Sequence, residues 1–144
     1  MEEQSEKDKI AVKNLMNRIN NILTEMNIEI IEKNFEKSTL VFDYKGMVFL
    51  MLINSNATRI KIISKIAEFQ LEATANCLSL ANTFNTCDFY LCSMVVIDGR
   101  LLLQNTIYID DTLDIKKMLF AIIDEIISMS NYINDKDWNI NENK

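Results

Sequence analysis

Apolar residues recur every three or four positions in three segments of the chain, which is the spacing of one face of an α-helix. The clearest stripe consists of Val12, Leu15, Ile19, Ile22 and Met26. The same spacing predicts helices over about residues 5–26, 71–86 and 112–133. We expect Asp111 or Thr112 to cap the third helix, since side-chain oxygens at that position accept free N–H groups of the first turn.

Six shorter segments are rich in apolar residues or alternate between apolar and polar ones, which is typical of β-strands. They are residues 28–32, 39–44, 47–54, 59–66, 89–97 and 100–109. Lys45-Gly46 and Asp98-Gly99 each separate two of these segments by two residues, a spacing that predicts tight hairpins, and Asp-Gly favours a type I′ turn. Lys61 and Lys65 share one face of their segment. This pattern is typical of a protected edge strand.

Helices separate groups of strands that are joined by hairpins, and this order indicates an α+β fold. We expect an antiparallel sheet of five to six strands with three helices, in the order α-β-β-β-(β)-α-β-β-α. The length of 144 residues suits one domain. We therefore predict a single domain over residues 1–144, with frayed tails at 1–8 and 135–144.

Two predicted strands are apolar on both faces, namely the segments Met47–Ile53 and Phe89–Ile97. An antiparallel sheet with one face in water should instead alternate apolar and polar residues. Either helices cover both faces of these strands, or a second copy or a partner covers one face. The second interpretation gives a candidate partner or dimer surface, which consists of Met47, Phe49, Leu50, Met51, Lys61 and Lys65.

Composition removes several classes of function. The net charge of −6 disfavours nucleic acid and anionic membrane as partners. Histidine is absent, and the chain has two glycines and no proline, so His-dependent catalysis and Gly-rich phosphate loops are excluded. We expect no metal and no cofactor. Carboxylates at residues 110, 111 and 114 are interpreted as helix capping, and those at 124 and 125 as a solvated helix face.

The sequence predicts a cytoplasmic protein. The first six residues are polar and acidic, and the longest uninterrupted apolar run has seven residues, too short to span a membrane. The three cysteines, Cys77, Cys87 and Cys92, match no zinc or CxxC spacing. We interpret them as reduced, mostly buried residues.

The second half of the chain carries a family resemblance. Ala81-Asn82-Thr83-Phe84-Asn85 is followed by a strand, the Asp98-Gly99 turn, a second strand and a long helix, and this arrangement resembles the YbjN family of bacterial proteins. Residues 15–66 are similar to the first half of that family, so the resemblance covers about residues 10–133. It implies the fold of type III secretion chaperones, which are small acidic proteins that dimerise and bind an extended partner segment. Family members are described as sensory or transport regulators.

These observations favour a non-enzymatic protein-binding module, chaperone-like or regulatory, that acts as a homodimer and binds a polypeptide segment. We expect the partner to bind against the sheet as an extended segment or an apolar helix. Residues 59–66 are the expected edge for an extended segment, because β-augmentation uses unpaired backbone groups. Two alternatives remain open at this point. One is a structural subunit of a larger complex, and the other is an enzyme that uses carboxylates or a cysteine.

Overall fold

The computed structural model describes residues 5–88 and 90–135. Its elements are three helices, a 3₁₀ turn at Leu71–Ala73 and six strands, and the helices and strands are each numbered in chain order. The helices are α1 (Glu6–Glu25), α2 (Thr74–Asn85) and α3 (Ile115–Asp135). The strands are β1 (Glu29–Asn34), β2 (Thr39–Tyr44), β3 (Met47–Ile53), β4 (Arg59–Glu68), β5 (Ser93–Ile97) and β6 (Arg100–Tyr108).

The six strands form one sheet in the order β1-β2-β3-β4-β6-β5. The pairs β1–β2, β2–β3 and β5–β6 are antiparallel. The predicted α+β fold with an antiparallel sheet and three helices is therefore confirmed, with six strands as the count. Backbone proximity divides the chain into two compact units. Of the described residues, one unit holds those up to Ile62 together with Thr106–Met118, and the other holds those from Ile63 to Asn105 together with those from Leu119 to Asp135.

Helix α1 has local signals at both ends. The Ser5 side chain accepts a hydrogen bond from the Asp8 N–H at 3.1 Å, an N-cap that fixes the start at Glu6. At the other end Asn27 has φ of 60°, and Ile28 N–H donates to the Leu23 carbonyl at 2.9 Å. This is a Schellman motif, which supplies donors to carbonyls that lack helical partners. Residues 6–8 are thus helical and not part of a frayed tail.

The first unit has its core between α1 and the first strands. Val12, Leu15, Ile19 and Ile22 of the predicted stripe are buried together with Met16 and Leu23, whereas Met26 is half-buried. Across β2 and β3, Phe42 lies opposite Phe49, and their rings stack with centroids 4.9 Å apart and planes 5° from parallel. Both rings are fully buried. Because paired residues share a face, this register places Val41 and Leu50 on the other face of the sheet.

Two predicted element starts are wrong. Helix α3 begins at Ile115, because Asp114, and not Asp111 or Thr112, accepts a hydrogen bond from the Lys117 N–H at 3.0 Å. Strand β5 begins at Ser93 and not near residue 89, because side chains bind the backbone of the two preceding residues, as described below. Phe89 and the predicted tail residues 1–4 and 136–144 lie outside the described residues. The single-domain assignment stays a prediction.

Candidate functional site

The residues of the candidate partner or dimer surface differ in exposure. Phe49 and Met51 are fully buried. Met47, Leu50 and Lys61 are half-buried, and Lys65 is exposed. The two buried residues belong to the core, so a partner could contact only the remaining four. The proposed role of the surface itself stays a prediction.

The expected sheet edge is wrong. Strand β4 lies between β3 and β6, so the strand that carries Lys61 and Lys65 is internal. Its lysines alternate with the buried Ile60, Ile62 and Ile66, and they therefore lie on the opposite face of the strand and not at an edge. Lys65 also forms an ion pair with Glu68, with 2.6 Å between Nζ and Oε1, and this contact lowers the pKa of Glu68.

The edges of the sheet are β1 and β5. At β5, side chains from two helices bind the backbone. The Asn85 amide of α2 donates to the Met94 carbonyl at 2.8 Å and accepts from the Met94 N–H at 2.7 Å. The same exchange of two bonds would be offered by a neighbouring strand. An incoming strand would therefore have to displace Asn85 from Met94.

A second side chain binds the backbone of the two residues that precede β5. The Glu125 carboxylate of α3 accepts from the N–H groups of Leu91 at 2.9 Å and Cys92 at 2.8 Å. The Asn105 amide donates to the Leu91 carbonyl. These contacts explain why the strand starts at Ser93. They also correct the interpretation of Glu125 as part of a solvated helix face, and no short-range sequence signal marks a partner 33 or 34 residues away.

Strand β1 presents a different edge. In the part of the chain that the structure describes, β2 is the only strand next to β1, and the other side of β1 has no neighbouring strand. Within the same part of the chain, the backbone of Glu29–Lys33 forms hydrogen bonds to β2 alone. The register shifts between Ile30 and Glu32, which leaves Ile31 as a β-bulge with its side chain 58% exposed. Bulges of this kind are common at sheet edges, where they limit indiscriminate pairing. β1 is therefore an edge on which a further strand can pair, and none of its backbone groups is bound by a side chain among the described residues.

The described residues offer little acid–base or metal chemistry. Asp110 Oδ1 accepts from the N–H and hydroxyl of Thr112, which lowers the pKa of Asp110 and uses it in a turn. Among residues 5–88 and 90–135, no three His, Cys, Asp or Glu side chains are grouped to hold a metal ion. Across the same residues, no helix is both long and apolar enough to cross a membrane. The open strand edge is thus the best-defined candidate for binding.

Comparison with protein-family models gave no match, and comparison with curated protein sequences gave none either. Solved structures do match. The Yersinia pestis type III secretion chaperone SycH, solved in complex with a stable fragment of YscM2, has a TM-score of 0.61 at 16% identity, covering 81% of this chain and 97% of that one. A chain of the ExsC–ExsE complex has a TM-score of 0.62 at 8% identity, covering 84% and 94%.

The E. coli protein YbjN matches with a TM-score of 0.61 at 12% identity, covering 83% of this chain and 91% of that one. Identities this low establish the fold alone. The chain therefore has the α+β fold of type III secretion chaperones, and YbjN is among the structures that share it. The expected resemblance is confirmed at the level of the fold.

Proposed function

We propose that the protein is a non-enzymatic binding module, chaperone-like or regulatory, that captures an extended polypeptide segment as an additional strand on β1. The observation that carries this proposal is the difference between the two sheet edges. Backbone groups at the start of β5 and at Met94 are bound by Asn85 and Glu125, whereas those of Glu29–Lys33 have no partner beyond β2 among the described residues. Strand addition derives affinity from such backbone groups.

The structural neighbours support a polypeptide as the partner. SycH was solved with a fragment of YscM2, and ExsC with ExsE. The net charge of −6 fits the same class of partner, since it disfavours nucleic acid and anionic membrane. We further propose a cytoplasmic location and a homodimer. The dimer would use the face of β2 and β3 that carries Val41, Leu50 and Leu52, all half-buried apolar residues.

Site-specific photo-crosslinking tests the proposed edge. A benzoyl-phenylalanine is placed at Ile31 on β1 or, as the matched control, at Ile97 on β5, which is also an exposed isoleucine on an edge strand. We expect crosslinks to one defined polypeptide from position 31 and none from position 97. Hydrogen exchange on the purified complex should then show new protection at the amides of β1.

Two results would contradict the proposal. The first is a crosslinked partner at position 97 alone. The second is a purified complex in which exchange at β1 is unchanged while another surface gains protection. A complex of that second kind would favour a structural subunit that docks through its helices.

A further inference from the structure

A groove lies between the first half of α1 and the turn that joins β1 to β2. Its lining consists of Lys9, Val12 and Lys13 from the helix and Phe35, Glu36 and Ser38 from the turn, around a cavity of about 430 Å³. We call it the Phe35 groove. The Phe35 side chain is 43% exposed, although phenylalanine is usually among the most buried residues. The groove thus combines an apolar surface with several charged side chains.

Two lysines approach the same aromatic ring from different elements. The Lys13 ammonium lies 5.8 Å from the centroid of Phe35, and the Lys33 ammonium lies 5.2 Å from it. Neither has a carboxylate within ion-pair distance among the described residues. By contrast Lys9 pairs with Glu6 at 3.4 Å. Two ammonium groups near one ring repel each other and raise the local positive potential, so an anionic group beside them would be stabilised.

The rest of the chain has the opposite sign, with a net charge of −6. Glu36 also lines the groove, yet Lys13 and Lys33, which form no ion pair among the described residues, make the surface around Phe35 locally basic. Complementary charge of this kind selects among partners more than it adds raw affinity. Lys33 belongs to β1, so the groove adjoins one end of the open strand edge.

We infer that the Phe35 groove binds an acidic stretch of the partner polypeptide, in which an apolar side chain lies on the Phe35 ring and flanking carboxylates pair with Lys13 and Lys33. This inference rests on the proposed function and specifies the chemistry of the partner. The captured segment then has two parts, a strand that pairs with β1 and an acidic-apolar stretch at the end of that strand near Lys33.

Two model peptides test this inference directly. The probe is acetyl-Glu-Leu-Glu-Leu-Glu-amide, and its neutral counterpart carries Gln in place of each Glu. Binding to the ¹⁵N-labelled protein is followed by amide chemical shifts at low salt. We expect saturable shifts at Val12, Lys13 and Phe35, with affinity for the acidic peptide about fivefold higher, since each exposed charge pair contributes modestly.

Variants of the lysines provide the controls. The double variant Lys13→Gln/Lys33→Gln should lose the preference for the acidic peptide and retain the thermal stability of the wild type. Lys7→Gln removes an exposed lysine of α1 that does not line the groove, and it should retain the preference. Added salt at about 0.5 M should reduce the preference, because exposed pairs are screened.

Several outcomes would overturn the inference: equal affinity for both peptides, shifts spread over lysines outside the groove, or no saturable shift. Inorganic phosphate at the same concentration should not reproduce the shifts, and if it does, the groove binds free anions. Shifts that depend on protein concentration alone would identify a second copy as the occupant.

If groove binding fails while crosslinks at Ile31 persist, strand addition stands without it. If groove binding succeeds without those crosslinks, strand addition on β1 is wrong.

Discussion

The side-chain amide of Asn85 takes the place of a neighbouring strand at Met94. A primary amide carries a carbonyl oxygen and an N–H group on the same side, as one residue of an antiparallel neighbouring strand does, so it can satisfy both backbone groups of one residue. Asn85 is the last residue of α2, and its two bonds to Met94 measure 2.8 and 2.7 Å. Asn85 belongs to the Ala81-Asn82-Thr83-Phe84-Asn85 motif noted in the sequence, and the structure shows its side chain bound to the backbone of the edge strand β5.

Replacing Asn85 by Ala should destabilise the protein. The variant loses two hydrogen bonds and leaves partly buried backbone groups at Met94 without partners, at a cost of about 1.5 kcal/mol. Asn82→Ala, an exposed position on the same helix, should change the free energy of unfolding by less than about 0.5 kcal/mol. Urea unfolding of both variants measures the difference. Equal effects would show that the Asn85 contact contributes nothing.

The three thiols should differ in reactivity. Burial raises the pKa of Cys77. Burial is also the larger cause of the raised pKa of Cys92, and the neighbouring Glu125 carboxylate adds to it, so that this pKa lies far above its ordinary value. Only the thiolate reacts with disulfide reagents, and Cys87 is the half-buried residue of the three. At pH 8 we expect one fast thiol, with the other two at least about tenfold slower until the protein is unfolded. The Cys87→Ser variant should lose the fast phase, and a fast phase that survives would refute this assignment.

The two hairpins have the same turn but different surroundings. Lys45 and Gly46 both have positive φ, as do Asp98 and Gly99, which is the type I′ geometry expected of two-residue hairpins. A Cβ atom added at Gly46 would meet nothing within 4 Å, whereas one added at Gly99 would lie 3.1 Å from the Phe69 carbonyl oxygen. The Phe69 N–H also donates to the Gly99 carbonyl at 2.8 Å, which fixes that approach.

Alanine substitution at each glycine separates conformational strain from crowding. Gly46→Ala should cost about 1 kcal/mol, because a residue with a Cβ atom is disfavoured at positive φ. Gly99→Ala carries the same strain and must also move backbone, so we expect about 2 kcal/mol or more. Thermal unfolding of the two variants measures the difference. A smaller loss of stability for Gly99→Ala than for Gly46→Ala would mean that the backbone at Phe69 moves aside with no loss of free energy.

Local patterns predicted the elements because each helix and strand carries its own periodicity and turn residues. Strand β2 occurs at residues 39–44 as expected, and both two-residue hairpins form. The start of β5 could not be predicted from such patterns. It depends on Glu125, which lies far along the chain and has no motif that marks it. A contact between distant residues leaves no periodic signal in either segment.

The sequence predicted the kind of site, a surface that binds protein, but not its position in the sheet. Doubly apolar strands indicated surface to be covered, yet the position of the open edge depends on strand order. Lysines alternating with isoleucines look the same on an edge strand and on the outer face of an internal strand, and Lys61 and Lys65 belong to the second case. The open edge at β1 has a signal only in retrospect, in the adjacent polar residues Glu32 and Lys33 and the exposed Ile31.

Neighbouring residues on β3 separate folding from association. Met51 is fully buried, so Met51→Asp places a charge in the core without a partner and should unfold the protein, at a cost above about 3 kcal/mol. Leu50 lies half-buried on the opposite face, which we propose as the dimer contact. Leu50→Asp should therefore give a folded monomer, because association would bury the new charge without a partner. A stable interface usually buries about 1,200–2,000 Å² in total.

Light scattering after size exclusion, together with circular dichroism, checks this pair of expectations. Ile10→Asp is the control, since it places the same charge at an isoleucine that is 59% exposed on α1. We expect the wild type and Ile10→Asp to be dimers, Leu50→Asp to be a monomer with the circular dichroism spectrum of the wild type, and Met51→Asp to lose that spectrum. A wild type that stays monomeric at about 200 μM, well above the Kd expected of a standard-size interface, would contradict the dimer. A dimeric Leu50→Asp would instead show that the copies associate through another surface.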